Sequence, residues 1–149
     1  MLRFAATGTT HVGLVRPTNQ DSALITPELL LVADGVGGGA AGEVASATTT
    51  HAVLDALQHL HDDLPPIALA SAVHHAQERI GRAIEADPSR DGMATTLTAV
   101  LVRGAAAAMV HLGDSRAYVQ RGRELIQITR YHTWTQRAVQ RGSLSEDDA

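Results

Sequence analysis

Three aspartates stand beside turn or glycine signals in this sequence. Asp21 follows an Asn-Gln pair, Asp34 ends an apolar run, and Asp114 lies within Gly-Asp-Ser-Arg. Each is predicted at the end of a β-strand. If these strand ends converge, three oxygen ligands would lie together at one edge of the sheet. Mg²⁺ and Mn²⁺ prefer such ligands. Two such ions that share a water can generate a hydroxide nucleophile and neutralise phosphate oxygens. We therefore expect a divalent-metal site.

Arg16 is predicted at the end of the preceding strand and could lie at the same edge of the sheet as the aspartates. A guanidinium group holds a phosphate through two parallel hydrogen bonds. A lone aspartate just as readily closes a turn or caps a helix, and that interpretation stays open for each of the three taken singly. The combination of three aspartates with Arg16 is what favours metal-assisted phosphate chemistry.

The stretch from Leu29 to Ser46 organises the rest of the chain. A short apolar run predicts a buried strand that ends at Asp34, five glycines follow between Gly35 and Gly42, and a helix then begins. A carboxylate at the end of a buried strand is costly unless a cation pairs with it. The glycines would let the backbone approach that cation or a bound phosphate.

The composition narrows the possible classes of protein. The 149 residues are enough for one domain, and 44% hydrophobic content is typical of a globular protein. A net charge of −4 argues against nucleic acid as a partner. There is no cysteine, which excludes disulfides and thiolate chemistry. All twelve basic residues are arginine, which excludes Schiff-base lysines and a Gly-Lys-Ser/Thr phosphate loop.

The pattern of apolar residues predicts strands, then two helices, then hairpin-linked strands, then a helix. This order is typical of an α+β protein with helices packed on antiparallel sheets. The predicted strands are His11–Val15, Ser22–Thr26, Leu29–Ala33, Thr95–Arg103, Ala106–Leu112, Arg116–Gln120 and Leu125–Thr129. The predicted helices are Gly42–Leu60, a second that begins at Pro65-Pro66, and Thr133–Arg141, which Gly142 would end.

Five ordered blocks of this sequence resemble the metal-dependent, type 2C family of protein serine/threonine phosphatases, and its bacterial branch in particular. The resemblance extends from about residue 10 to residue 149. Its blocks are Val15-Arg16-Pro17-Thr18-Asn19-Gln20-Asp21-Ser22, Val32-Ala33-Asp34-Gly35-Val36-Gly37-Gly38, Gly42-Glu43-Val44-Ala45-Ser46, Ala94-Thr95-Thr96-Leu97 and Gly113-Asp114-Ser115-Arg116-Ala117-Tyr118.

The resemblance implies a role for each candidate residue. Asp34 would bridge two Mn²⁺ or Mg²⁺ ions, and Gly35 would offer its carbonyl to one of them. Arg16 would bind the substrate phosphate. Gln20 and Asp21 would organise ligand waters near the second ion. A third, weaker ion would lie at Asp114.

The family fold would be a four-layer α/β/β/α sandwich of two antiparallel sheets flanked by helices. Residues 1–149 would form a single phosphatase-like domain, corresponding to the N-terminal two-thirds of the family's catalytic domain. The remaining third of the family domain holds two later aspartate ligands. Ser145 and Asp148 resemble a helix start just before the chain stops at Ala149. We therefore expect a truncated chain that is inactive or nearly so and that self-associates through exposed sheet edges.

Two positions depart from the family pattern. Val36 stands where some members carry a histidine proposed as the general acid, although bacterial members often have an apolar residue there. Tyr131 stands where an aspartate usually precedes the residue that is His132 here.

Two classes of function follow. In the first, the protein hydrolyses phosphoserine and phosphothreonine in proteins phosphorylated by a serine/threonine kinase. In the second, it is a catalytically inactive phosphatase-like module that binds a partner. No apolar run approaches the length of about 18 residues that a membrane span requires, and the N-terminus lacks the apolar core of a signal peptide. We therefore expect a cytoplasmic protein without membrane or nucleic-acid partners.

Two other binding sites are disfavoured. Gly37, Gly39 and Gly42 match the Gly-x-Gly-x-x-Gly spacing of dinucleotide sites, with Asp62 about 20 residues beyond. Asp34 would repel the pyrophosphate, however, and the later hairpins do not continue as alternating β and α units. His59 and His61 predict no zinc site, because residues two apart on a helix point about 200° apart.

Overall fold

The computed structural model describes residues 1–37 and 41–130. Its helices are α1 (Ala41–His59) and α2 (Pro65–Ala86), followed by a short 3₁₀ helix at Pro88–Arg90. Its strands are β1 (Asp21–Ile25), β2 (Leu29–Val36), β3 (Ala94–Thr95), β4 (Leu97–Arg103), β5 (Ala106–Leu112), β6 (Tyr118–Arg121) and β7 (Glu124–Gln127). The predicted helix Thr133–Arg141 and the helix start at Ser145 lie outside the described residues.

All strand pairs in the described ranges are antiparallel. Four strands form a sheet in the order β1-β2-β4-β5, and β3 extends it by pairing with the end of β2. β6 and β7 form a separate two-stranded sheet. The α+β architecture of antiparallel sheets and helices is therefore confirmed. It differs from the parallel sheet that a dinucleotide-binding fold requires.

The core lies between the sheet and the two helices. Alternate residues of β2 and β4 point toward the helices, because successive side chains of a strand point to opposite faces. Small residues on both helices let them approach the sheet closely. The buried cluster includes Leu29, Leu31, Ala33, Ala52, Val53, Leu57, Ala68, Leu69, Ala72, Leu97, Ala99 and Leu101. This packing fixes β2, and β2 carries Asp34.

Arg103, the last residue of β4, anchors the C-terminal end of α1. Its Nη1 donates to the carbonyls of Leu60 and Asp63, and its Nη2 donates to the carbonyl of Leu57 at 3.1 Å. Helix ends leave carbonyls without intrahelical donors and carry partial negative charge. The guanidinium therefore satisfies these carbonyls and joins the helix to the sheet.

The predicted strand His11–Val15 is wrong. These residues form a turn in which the Gly13 N–H donates to Nδ1 of His11 at 2.9 Å, with Gly13 at a φ of 82°. A strand must pair its N–H and C=O groups, and no strand in the described ranges pairs with this segment. The segment instead forms a wall of the candidate site.

Several strand boundaries differ from the prediction by one to three residues, and two of these differences lie near Asp34. β2 continues to Val36 rather than ending at Ala33, because β3 pairs with Gly35 and Val36. The predicted strand Thr95–Arg103 is interrupted at Thr96, which separates β3 from β4. Both differences concern the residues around Asp34. None of the helices in the described ranges is long and apolar enough to cross a membrane.

Candidate metal centre

A cleft of about 810 Å³ opens where the loop before β1 meets the end of β2. Its wall includes Arg16, Gln20, Asp21, Asp34 and Gly35. Five of the six residues predicted from the sequence therefore line one cavity. Residues 11–20 are irregular, so the fold holds Arg16 on a loop and the two aspartates on adjacent strands.

Asp21 and Asp34 are direct neighbours across the sheet. They are register partners in the antiparallel pair of β1 and β2, and opposite residues of such a pair project to the same face. Like charges placed opposite one another destabilise a sheet. The fold therefore holds two carboxyl groups together at a cost that a cation would remove.

Electrostatics link Asp34 to the other predicted residues. Burial raises the pKa of the Asp34 carboxyl above its ordinary value, and the charge of Asp21 and a hydrogen bond with it raise the pKa further. The charge of Asp114 acts in the same direction, whereas that of Arg16 lowers the pKa. Asp114 does not line the cleft, but it is close enough for its charge to reach Asp34. The charges of two other carboxyl groups and of one guanidinium thus act on the Asp34 carboxyl.

The backbone of Asp34 is held by two threonines that follow the α2 segment. The Asp34 N–H donates to Oγ1 of Thr96 at 2.9 Å, and the Asp34 carbonyl accepts from Thr96 N–H at 2.8 Å. The same carbonyl accepts from Oγ1 of Thr95 at 2.9 Å. Fixing both ends of the residue restricts where its carboxyl group can point.

The other side of the site is held by a buried hydroxyl of α1. Oγ of Ser46 donates to the Gln20 carbonyl at 2.6 Å and lies 3.0 Å from Oγ of Ser22. The Gly35 N–H also donates to the Gln20 carbonyl, at 3.1 Å. The backbone at Gln20 is thereby tied to both α1 and β2, next to Asp21.

Gly35 lies where three backbone segments meet. A Cβ at this position would lie 1.9 Å from the carbonyl oxygen of Gly42 and 2.8 Å from that of Gln20. Any side chain here would separate β2 from the start of α1. Glycine at position 35 is therefore required for the close approach of β2 to the start of α1 beside the cleft.

The donors present fit an open, hydrated metal site. Within residues 1–37 and 41–130, no three His, Asp or Glu side chains form a group that could hold a metal ion by themselves. Mg²⁺ commonly binds through one or two carboxylates and keeps several waters; Asp34 supplies one carboxylate, and Asp21 beside it could accept hydrogen bonds from such waters. Hard oxygen donors and a local excess of negative charge suit Mn²⁺ or Mg²⁺.

The sequence prediction missed the hydroxyl groups that hold this site. Ser46, Thr95 and Thr96 lie in the blocks that carry the family resemblance, but their spacing showed no chemistry. The available signal was polarity at buried positions, since Ser46 and Thr96 interrupt otherwise apolar faces. A buried hydroxyl usually has a hydrogen-bond partner, and here Ser46 bonds the Gln20 backbone while Thr95 and Thr96 bond the Asp34 backbone.

Comparison with known proteins gives similar sequences in several bacteria. The serine/threonine protein phosphatase PstP of Mycobacterium tuberculosis is 43% identical over 153 aligned residues, which cover 100% of this chain and 29% of that protein. The serine/threonine phosphatase stp of Listeria monocytogenes is 27% identical, over 94% of this chain and 59% of its own length. This chain thus spans well under two-thirds of these relatives.

Solved structures share the fold. The crystal structure of the Mycobacterium tuberculosis PstP aligns with a TM-score of 0.76 and 44% identity, over 91% of this chain and 57% of that one. The PstP catalytic domain in complex with two manganese ions gives the same TM-score of 0.76 and identity of 44%, over 91% of this chain and 59% of that one. The phosphatase MsPP from Mycobacterium smegmatis gives a TM-score of 0.83 at 29% identity, over 99% of this chain and 62% of that one.

The family profile described as protein phosphatase 2C matches residues 7–138. That range includes Arg16, both strand-borne aspartates and Asp114. It covers most of the 149 residues, and the structural alignments above cover 91% or more of the chain. This chain therefore belongs to the protein phosphatase 2C family.

Proposed function

We propose that the protein hydrolyses phosphoserine and phosphothreonine in proteins, using a water activated at a centre of two Mn²⁺ or Mg²⁺ ions. The observation that carries the proposal is the cross-strand pair of Asp21 and Asp34, with Arg16 in the wall of the same cleft. The relatives described above are phosphatases, and one was crystallised with two manganese ions. This favours hydrolysis over a module that only binds a partner.

The proposed roles follow the positions of the residues. Asp34 and the Gly35 carbonyl would hold metal ions, and Asp114 would support a third, weaker site. Gln20 and Asp21 would orient waters bound to the second ion. When bound, such ions lower the pKa of a water and neutralise phosphate oxygens.

Arg16 is proposed to bind the phosphate of the substrate. It lines the cleft with Asp21 and Asp34, and its charge lowers the pKa of Asp34. A guanidinium group can donate two parallel hydrogen bonds to one phosphate. Its position on an exposed loop leaves it accessible to a phosphorylated side chain that enters from solvent.

The proposed substrates are proteins that a serine/threonine kinase has phosphorylated, and the proposed location is the cytoplasm.

We also propose that the chain self-associates through its sheet. β1 and β5 are the outer strands of the larger sheet, and Ile25, Val32 and Met109 are 43%, 47% and 37% exposed. Unpaired edges and exposed apolar faces favour contacts with other chains.

Titration with Mn²⁺ tests the proposed centre in the 149-residue chain. Electron paramagnetic resonance of the free ion monitors the titration. Asp34→Asn should weaken Mn²⁺ binding by about tenfold or more, because loss of an outer-shell partner alone costs about 10–100-fold. Asp62→Asn is the matched control, since Asp62 is exposed and contacts His61 on the connector between the helices.

Hydrolysis of p-nitrophenyl phosphate with Mn²⁺ should be lost together with binding in Asp34→Asn and retained in Asp62→Asn. Turnover by the parent chain is expected to be low, because the described residues offer few side-chain ligands. Equal Mn²⁺ affinity in the parent chain and Asp34→Asn would contradict the proposal.

A further inference from the structure

We propose that Thr96 is a positioning residue that holds Asp114 beside Asp34. The inference rests on the proposed metal centre and adds a residue to it. Thr96 is only 7% exposed. It lies between β3 and β4, next to Asp34 of β2. Its hydroxyl links two segments that are far apart in sequence.

The first link is to Asp34. Oγ1 of Thr96 accepts the Asp34 N–H at 2.9 Å, while the Thr96 N–H donates to the Asp34 carbonyl at 2.8 Å. The side chain and backbone of Thr96 therefore bind both polar groups of the Asp34 backbone. This interaction takes the place of a regular ladder pair at the point where β3 and β4 separate.

The second link is to the loop that carries Asp114. Oγ1 of Thr96 lies 2.8 Å from Oγ of Ser115, and either hydroxyl can donate. A threonine oxygen accepts two hydrogen bonds and donates one, so it can serve Asp34 and Ser115 at once. One side chain thus joins the Asp34 backbone to the residue next to Asp114.

The methyl group of Thr96 also shapes this loop. Gly113 has a φ of 102°, and a Cβ there would lie 2.6 Å from Cγ2 of Thr96. The loop therefore passes close over Thr96 in a conformation that favours glycine. The hydrogen bond to Ser115 and this close contact hold residues 113–115 against Thr96, and Asp114 is the middle residue of that segment.

Thr98 provides a matched comparison on β4. It is 6% exposed, and its Oγ1 lies 2.8 Å from Nδ1 of His111. Its hydroxyl contacts neither Asp34 nor the loop at residues 113–115. Thr96→Val and Thr98→Val each remove one buried, hydrogen-bonded hydroxyl, so they should cost similar stability. Only the first should alter the metal centre.

The test compares Thr96→Val, Thr96→Ser and Thr98→Val in the 149-residue chain. We expect Thr96→Val to weaken Mn²⁺ binding by about 10–100-fold, as for other partners that orient metal ligands. Thr96→Ser keeps the hydroxyl and should restore most of the parent affinity, and Thr98→Val should leave it unchanged. Equal loss in Thr96→Val and Thr98→Val would overturn the proposal.

A double-mutant cycle tests whether the effect passes through Asp114. Residues that act together give non-additive effects, so Thr96→Val should weaken Mn²⁺ binding much less in an Asp114→Asn chain. A full additional loss in that background would mean that Thr96 acts through Asp34 alone, which would overturn the proposed role.

Amide hydrogen exchange without metal separates this inference from the proposed function. Thr96→Val should accelerate exchange at residues 113–116, whereas Thr98→Val should not. If the parent chain binds no Mn²⁺, the metal centre fails, but this measurement still decides whether Thr96 holds the loop. Unchanged exchange at residues 113–116 in Thr96→Val would overturn the inference.

Discussion

Asp34 carries a negative charge that its surroundings oppose. Its pKa is raised first by burial and then by Asp21 and Asp114, and Arg16 offsets only part of this. A folded-state pKa above the unfolded value means that the carboxyl stabilises the fold most when it is protonated. That contribution is lost as the pH rises through the folded pKa. The metal-free fold is therefore destabilised by this group at neutral pH.

Asp34→Asn should accordingly raise the stability of the metal-free chain at pH 7. The expected gain is about 1 kcal/mol or less, since the site is open to solvent and such charge interactions are small there. Thermal unfolding in the presence of a chelator at pH 7 and pH 4 measures it, and the gain should shrink at pH 4. A lower melting temperature for Asp34→Asn at pH 7 would count against this account, with Asp62→Asn as the neutral control.

Addition of Mn²⁺ should make the parent chain more stable than the Asp34→Asn chain. A ligand that binds only the folded state stabilises it in proportion to the logarithm of its concentration over Kd. The parent chain should therefore gain stability with Mn²⁺, whereas Asp34→Asn should gain little. Thermal unfolding across a Mn²⁺ series provides the measurement, and equal gains for both chains would contradict a site at Asp34.

Arg16→Ala should weaken phosphate binding without a comparable loss of Mn²⁺ affinity. Hydrogen bonds to charged groups contribute about 1.5–3 kcal/mol, so we expect a loss of that size in calorimetric binding of inorganic phosphate to the Mn²⁺-loaded chain. Arg123→Ala, in the turn between β6 and β7, is the matched control. Unchanged phosphate affinity in Arg16→Ala would remove Arg16 from the proposed site.

At the scale of elements, Arg103 determines how α1 is held against β4. Its guanidinium donates to three carbonyls at and beyond the end of the helix. Arg103→Met should lower the free energy of unfolding by about 1.5–3 kcal/mol, because three partly buried carbonyls lose a charged donor. Arg103→Lys should retain only part of this free energy, since lysine lacks the planar guanidinium group.

Denaturant unfolding of Arg103→Met and Arg82→Met tests this difference. Arg82 forms an exposed ion pair with Glu78 at 3.5 Å, which contributes little to stability. Mn²⁺ affinity should stay unchanged in both variants, because neither residue lies at the cleft. Equal destabilisation by the two substitutions would show that the Arg103 hydrogen bonds contribute nothing specific.

The elements also show what could be predicted from the sequence. The helices and hairpins follow from apolar periodicity and turn residues, and Asp34 was identifiable because it follows an apolar strand. The turn at His11 was not predictable in this way, because its apolar residues resemble a strand and only pairing distinguishes the two. Thr96 and Ser46 were missed because their roles depend on residues distant in sequence.

At the scale of the whole molecule, the larger sheet packs on helices with one face and exposes apolar residues on the other. Val32 and Met109 contribute to that exposed face, so the chain should associate at high concentration. Met109→Glu should shift the sedimentation velocity profile toward monomer, because burying an unpaired carboxylate is costly. A parent chain that is monomeric at all concentrations would contradict the proposed self-association.

We infer that Asp34 binds a divalent cation in the cleft it shares with Asp21 and Arg16. Anomalous scattering from crystals soaked in Mn²⁺ would locate such a cation. We expect a manganese peak in direct contact with an Asp34 carboxylate oxygen, on the side that faces Asp21. Fully occupied manganese elsewhere in the crystal, with none at Asp34 and its side chain turned toward solvent, would contradict it.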